Sequence, residues 1–178
     1  MQKHLIVVAT ALIFVVLSGL MSIAQSPKDV QDNQKLENGF YLIRGQGSKT
    51  SDFDQRTEEE RVVAALRSND TPDNAPNVMY LVRSTPDVPL KLLSDPKIVG
   101  SSSNERRLVV ELVDKLKPDL FKFTKDHLED HIVIVVGNRV VMSAKIRSPI
   151  ADGRFEISTC DGDLTWLQNA LKREPGAR

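Results

Sequence analysis

The sequence predicts an α+β fold, in which a mixed or antiparallel sheet carries helices packed on one face. The uninterrupted β-branched run 132–136 is typical of a central strand buried on both faces. Gly137 and Asn138 stand between two apolar runs and predict a hairpin turn. Apolar residues at helical spacing after Pro118 predict a helix next to these strands. Because strands and helices alternate along the chain, a layered α+β arrangement buries both kinds of apolar surface.

The N-terminal residues predict an export signal. A basic start at Lys3 precedes an almost wholly apolar run over residues 5–21, and small residues follow at Ser22 and Ala24. This is the pattern of a secretory signal with a cleavage site after Ala24. The alternative is an uncleaved anchor, for which the run is at the lower length limit for a bilayer core of roughly 30 Å. We therefore assign residues 1–24 to a signal peptide or an anchor, and expect a periplasmic or secreted chain, membrane-anchored if the leader stays.

Composition narrows the class of partner. The formal net charge is +0, so the sequence lacks the basic excess that nucleic acid binding requires. Cys160 is the only cysteine, which excludes an internal disulfide and leaves stability to packing. Aromatic residues make up 5% of the chain, too few to predict an aromatic platform for sugars or bases. We expect neither a nucleic acid partner nor a cofactor.

The chain after the leader is predicted to be a flexible tether followed by one domain. Residues 25–38 are polar and predict the tether. Residues 39–174 are predicted to form a single α+β domain, because a chain of about 150 residues suffices for one ordinary core.

The segment 39–86 is predicted as an extra β-α-β unit. Residues 39–44 and 78–82 are short apolar runs that predict strands, and residues 45–55 predict a loop. Residues 57–67 predict a helix, because Thr57 and a glutamate three residues later have the spacing of a capping box.

Four strands and two helices are predicted in the second half of the chain. Residues 107–113 alternate and predict a strand, and the helix that begins at Pro118 carries one buried face. That face is predicted to hold Leu120, Phe123, Thr124, His127 and Leu128. The hairpin follows, with its return strand at 139–146, and residues 154–158 predict a further short strand. Asp161 or Asp163 is predicted to cap a last helix, whose apolar stripe is Leu164, Leu167 and Leu171.

No catalytic constellation emerges from the residues. His127 and His131 are four apart, a spacing that could share a metal on one helix, but a role at the helix end explains them better. Gly45 and Gly47 follow a strand as in a phosphate loop, yet the lysine and third glycine of such a loop are missing. We therefore expect no metal site and no enzyme. Four basic residues around the hairpin could form one basic patch for an acidic partner, or could discourage aggregation as exposed charges on an edge. They are the candidate partner-binding residues: Arg139, Lys145, Arg147 and Arg154.

From about residue 88 to 172 the order and spacing of short motifs match a known family. The motifs are the strand 108–113, Leu120-Phe121-Lys122-Phe123-Thr124, the run 132–136 with Gly137-Asn138, Val140-Val141-Met142-Ser143-Ala144-Lys145-Ile146, Ile150-Ala151-Asp152-Gly153, Phe155-Glu156-Ile157-Ser158 and the helix 164–171. Together they resemble the first periplasmic head domain of SecD, a subunit of the protein-export machinery. Lys145 stands where the family usually has proline, and Gly-Asn replaces Asp-Gly in the turn.

The resemblance implies a small ferredoxin-like head with a βαβ unit that contacts polypeptide. It does not imply the proton-coupled activity of the SecD membrane part. We therefore expect a non-enzymatic, extracytoplasmic interaction module that binds a protein or peptide along a groove or sheet edge, in protein export or the envelope. The alternative is a periplasmic protein that binds a small molecule or an envelope polymer on the same fold.

Overall fold

The computed structural model of the chain describes residues 35–65, 77–101, 106–158 and 164–172. The strands in these ranges are β1 Gly39–Leu42, β2 Gly45–Gly47, β3 Glu60–Ala64, β4 Met79–Arg83, β5 Val88–Pro89, β6 Lys97–Val99, β7 Arg107–Glu111, β8 His131–Val136, β9 Arg139–Lys145 and β10 Arg154–Ile157. The α-helices are α1 Lys117–Asp126 and α2 Leu164–Leu171, and two short 3-10 helices are Thr50–Phe53 and Asp114–Leu116. Across the described residues, no helix has the length and apolar character needed to span a membrane.

The central layer is a four-stranded antiparallel sheet in the order β5-β1-β8-β9. In β8, Ile132 and Ile134 point into one apolar cluster, and Val133 and Val135 point into another on the opposite face. All four side chains are buried. The prediction of a central strand covered on both faces is therefore confirmed.

One face of this sheet is covered by both helices and by a second sheet in the order β10-β7-β6. In β7 the alternating residues Leu108 and Val110 are fully buried, as predicted from the strand pattern. Leu120 of α1 and Leu167 of α2 are also fully buried in the same cluster. The prediction of an α+β fold with helices on one face of the sheet is therefore confirmed.

The opposite face is covered by a third sheet in the order β2-β4-β3, and here the prediction of a helix over residues 57–67 is wrong. The capping-box hydrogen bond does form, since the Thr57 N–H donates to Glu60 Oε2 at 2.9 Å. It closes a turn, however, and the chain then continues as β3. Five residues of β3 pair with β4, and Val63 is buried against the central sheet, so pairing and burial outweigh the local helix signal.

The chain differs from the expected ferredoxin-like unit in how α1 connects two strands. β7 precedes α1 and lies in the second sheet, whereas β8 follows α1 and lies in the central sheet. All pairs between these ten strands are antiparallel. Because both edges of β8 are taken by β1 and β9, α1 joins two stacked sheets and makes no parallel crossover within one sheet.

The hairpin turn holds the residues that lead into β1. Gly137 and Asn138 have φ of +59° and +66°, the left-handed values of the predicted turn. Asn138 Oδ1 accepts the Leu36 N–H at 3.0 Å, and Asn38 Oδ1 accepts the Gly137 N–H at 2.9 Å. Leu36 is 4% exposed, so the end of the predicted tether 25–38 packs into the fold at this residue, whereas residues 25–34 lie outside the described residues.

Candidate functional site

The four basic residues predicted as one patch lie at three separate places. Arg139 and Lys145 are the first and last residues of β9. A strand rises about 3.3 Å per residue, so their backbones are about 20 Å apart. Arg154 begins β10 in the second sheet, opposite Glu111. The four residues therefore do not form one patch, because the strand register distributes them over two sheets, and their role in binding a partner stays a prediction.

Lys145 and Arg147 do come together, around one carboxylate. Lys145 Nζ lies 2.5 Å from Glu129 Oε2, and Arg147 Nη1 lies 3.4 Å from the same atom. The hydrogen bond from Lys145, with its positive charge, lowers the pKa of Glu129 below its ordinary value, and Arg147 adds to the effect. Two cations thus share one anion at the end of β9.

The two predicted histidines do not share a helix. Helix α1 ends at Asp126, and His127 follows it with its N–H bonded to the Phe123 carbonyl at 3.1 Å. His127 Nδ1 lies 3.0 Å from Asp130 Oδ2, whereas His131 is the first residue of β8. Within the described ranges, no three His, Cys, Asp or Glu side chains are grouped to hold a metal ion. His127 therefore occupies the helix-end position that its sequence context favoured.

The glycine-rich segment after β1 is built differently from a phosphate loop. Gly45–Gly47 is strand β2, paired with β4, so the prediction of a loop is wrong for these residues. The next two N–H groups, of Ser48 and Lys49, both donate to Asp52 Oδ2, at 2.8 and 3.1 Å. These bonds lower the pKa of the Asp52 carboxyl. The chain's own carboxylate thus occupies the donors that a phosphate would need. Cys160, Asp161 and Asp163 lie outside the described residues.

The edge of the central sheet at β9 is the site that the sequence did not indicate. Asp130 O accepts the Ile146 N–H at 2.9 Å across β8 and β9, while His131 O accepts the Ile43 N–H at 3.0 Å on the other side of β8. Hydrogen-bonding directions alternate along an antiparallel strand. Ala144 and Ile146 therefore direct their N–H and C=O groups toward β8, and Ser143 and Lys145 direct theirs outward.

Part of this outer edge is already covered. A parallel bridge joins Ala65, just after β3, to Val140 near the start of β9. An irregularity in the pairing with β8 follows between Ile134 and Val135. Beyond it, the described residues place no strand beside Met142 to Lys145. We call residues 142–145 with their outward backbone groups the open edge. The Ser143 side chain on the open edge is exposed. No local sequence pattern indicates the open edge, because its position depends on which strand of the sheet is outermost.

A polar cleft of about 410 Å³ lies nearby. It is lined by residues 42–46, at the junction of β1 and β2, and by residues 129–131 before β8. Glu129 adopts φ of +69°, a left-handed conformation that is uncommon for a residue with a side chain. Arg44, which also lines the cleft, has its Nη1 3.8 Å from Glu60 Oε1 outside it. The cleft therefore offers charged groups of both signs to a small polar ligand.

No protein-family model matches the chain, and no curated protein matches it. The similarity that was found is to solved structures. One similar solved chain is described as SecDF, a membrane component that enhances protein export. It has a TM-score of 0.48 and 13% identity, over 84% of this chain and 69% of that chain. Another is SecDF in a super-membrane-facing form, with a TM-score of 0.46 and 15% identity over 85% of this chain. This chain spans 21% of the length of that second one.

Proposed function

We propose that this chain is a non-enzymatic extracytoplasmic module that binds a protein or peptide as an added strand along the open edge. The observation that carries the proposal is the outward direction of the Ser143 and Lys145 backbone groups at the edge of the central sheet. An unpaired edge of this kind is a template for a further strand. Many peptide-binding domains use such strand addition, in which backbone hydrogen bonds give affinity and side chains give specificity.

The length of the open edge bears on the strength of binding. Ser143 and Lys145 each offer one N–H and one C=O, so an added strand gains four backbone hydrogen bonds. Each is worth about 0.5–1.5 kcal/mol net, and ordering a flexible peptide opposes that gain. We therefore expect weak, reversible binding, which suits a transient partner that is released again.

The proposed location and pathway rest on the sequence. The leader over residues 1–24 supports a chain exported across a membrane. The resemblance of residues 88–172 to SecD head domains is the reason for linking the partner to protein export or the envelope. Fractionation of cells followed by N-terminal sequencing of the mature chain tests the location. A mature chain that begins near Gln25 in the exported fraction is expected, and recovery in the cytoplasm with Met1 intact would contradict it.

In-cell photo-cross-linking tests the binding edge. A photoreactive amino acid replaces Ser143 on the open edge. The matched control replaces Thr85, another exposed hydroxyl residue, which lies just before β5 at the opposite side of the central sheet. We expect discrete cross-linked polypeptides from position 143 and much weaker ones from position 85. Equal cross-linking at both positions, or none at position 143 with the folded chain, would contradict the proposal.

Amide hydrogen exchange tests the same edge in the isolated chain. Ser143 and Lys145 N–H groups point outward and should exchange quickly, whereas Ala144 and Ile146 N–H groups bond to the neighbouring strand and should exchange slowly. Alternating fast and slow amides are the expected result. Slow exchange of Ser143 and Lys145 without any added peptide would mean that the edge is already occupied, and the proposal would fail.

A second candidate function is binding of a small molecule or an envelope polymer in the polar cleft. The charged lining at Arg44 and Glu129 favours a small zwitterionic or charged ligand over an apolar one. A thermal-shift screen tests it, since a ligand at 100 times its Kd stabilises the native state by about 2.7 kcal/mol. A genuine ligand should lose its effect in Arg44→Gln and keep it in Lys91→Gln, a matched change at an exposed lysine away from the cleft.

A further inference from the structure

The two sides of the open edge differ in polarity. On the side of the helices, Met142 packs against the first apolar cluster, Ala144 is half-buried, and Ile146 is 5% exposed. On the other side stand Ser143, which is exposed, and Lys145. A strand that pairs with β9 alternates its side chains between these two sides. The apolar residues of such a strand would therefore lie beside apolar side chains on one side of the sheet. Its polar residues would lie beside the Ser143 hydroxyl and the Lys145 cation on the other side.

The charge on the polar side has an excess of cation. Lys145 and Arg147 share the single carboxylate of Glu129, and the Arg147 side chain remains 73% exposed. The other carboxylate of this turn, Asp130, is directed to His127 Nδ1 at 3.0 Å. His131 pairs with Lys145 across β8 and β9. An incoming carboxylate beside Lys145 would thus meet two cations and one competing anion.

We infer that the strand bound at the open edge is amphipathic, with an apolar residue at every second position and an acidic residue on the side of Lys145 and Arg147. This inference rests on the proposed function and specifies the class of peptide. Cross-strand pairs of opposite charge stabilise pairing by about 0.2–1 kcal/mol, and like charges oppose it by a similar amount. Replacing the acidic residue by lysine exchanges a favourable pair for an unfavourable one, so it should weaken binding by about two- to thirtyfold.

Synthetic peptides of equal length test the inference against the chain without residues 1–24. Three of them alternate valine with polar residues and carry glutamate, glutamine or lysine at the central polar position. A fourth has the composition of the glutamate peptide in scrambled order. Titration followed by fluorescence anisotropy should give affinities in the order glutamate, glutamine, lysine, with the scrambled peptide the weakest. The double change Lys145→Gln and Arg147→Gln leaves Glu129 without these two cations and should reverse this order, whereas the matched change Lys91→Gln should preserve it.

The outcomes separate this inference from the proposed function. Ser143→Pro removes an outward N–H, whereas Ser143→Ala keeps it, so the first change should weaken binding by about two- to thirteenfold and the second should leave it unchanged. Equal affinity for all alternating peptides, with weaker binding in Ser143→Pro, would overturn the inference and keep the edge. Absence of binding by every peptide would overturn both. If Ser143→Pro does not fold, chemical-shift changes at the Ser143 and Lys145 amides on adding peptide decide, and no change there would overturn both.

Discussion

Replacing Asn138 by alanine tests whether this side chain has two separate roles in the hairpin turn. It adopts φ of +66°, and its Oδ1 accepts the Leu36 N–H at 3.0 Å. Loss of that hydrogen bond should cost about 1 kcal/mol of unfolding free energy. Alanine tolerates the left-handed conformation less well than asparagine, which should cost about 1 kcal/mol more. We therefore expect Asn138→Ala to lose about 2 kcal/mol, which lowers Tm by about 4–8 °C in a domain of this size.

Two further changes at this position separate the roles. Asn138→Asp keeps both an acceptor oxygen and tolerance of the left-handed turn, so its unfolding free energy should change by less than about 0.5 kcal/mol. Asn138→Gly loses the acceptor but relaxes the backbone, so it should lie between the aspartate and alanine variants. Urea unfolding of the chain without residues 1–24, followed by the fluorescence of its only tryptophan, Trp166, measures the series.

The order of the three variants can refute this reasoning. A loss in Asn138→Asp as large as in Asn138→Ala would show that the Leu36 hydrogen bond is not what the side chain contributes. Equal losses in the glycine and alanine variants would show that the backbone conformation contributes nothing. Asn77→Ala, at an exposed asparagine before β4, is the matched control and should change the unfolding free energy by less than about 0.5 kcal/mol.

Three more predictions use the same urea assay. Tyr41→Phe removes the hydroxyl of a fully buried residue, which donates to the Glu37 carbonyl at 2.6 Å, and should cost about 1–2 kcal/mol. Leu120→Ala opens space at a fully buried residue of α1 and should cost about 2–5 kcal/mol. The pKa of Glu129 is lowered by Lys145, so its stabilising effect is present above its ordinary pKa and lost as pH falls through the lowered one. The urea midpoint should therefore fall with acid, and fall less in Glu129→Gln.

Each of these predictions has an outcome that would contradict it. A neutral Tyr41→Phe variant would show that the Glu37 carbonyl finds another donor. A loss below about 1 kcal/mol in Leu120→Ala would mean that α1 is not anchored to the core through this residue. The same acid dependence in the wild type and in Glu129→Gln would mean that the contact with Lys145 does not contribute to stability. Glu58→Gln, at an exposed glutamate, is the matched control for the pH series.

Local patterns were sufficient where one segment carries its own burial and turn signals. The hairpin was predicted from Gly137-Asn138, because only residues that tolerate left-handed φ suit that turn. Helix α1 was predicted from the spacing of Leu120 and Phe123, but its buried face was predicted to extend to Leu128, beyond the end of the helix. The helix ends at Asp126, and Leu128 is 46% exposed. Of the four candidate basic residues, only Lys145 and Arg147 lie around one carboxylate, because side chains from different strands are brought together by sheet register and not by sequence spacing.

The α+β class, the buried β8 and the β8–β9 hairpin follow from local sequence patterns, because residue spacing and turn preferences depend on near neighbours in the chain. That Glu60–Ala64 is a strand depends on the folded chain, since pairing with β4 outweighs a capping box that also suits a helix. The folded chain also decides which strand is outermost, and hence where the open edge lies. Sheet order is set by contacts between residues far apart in the chain, such as Phe40 with Ile134, and no local pattern records them.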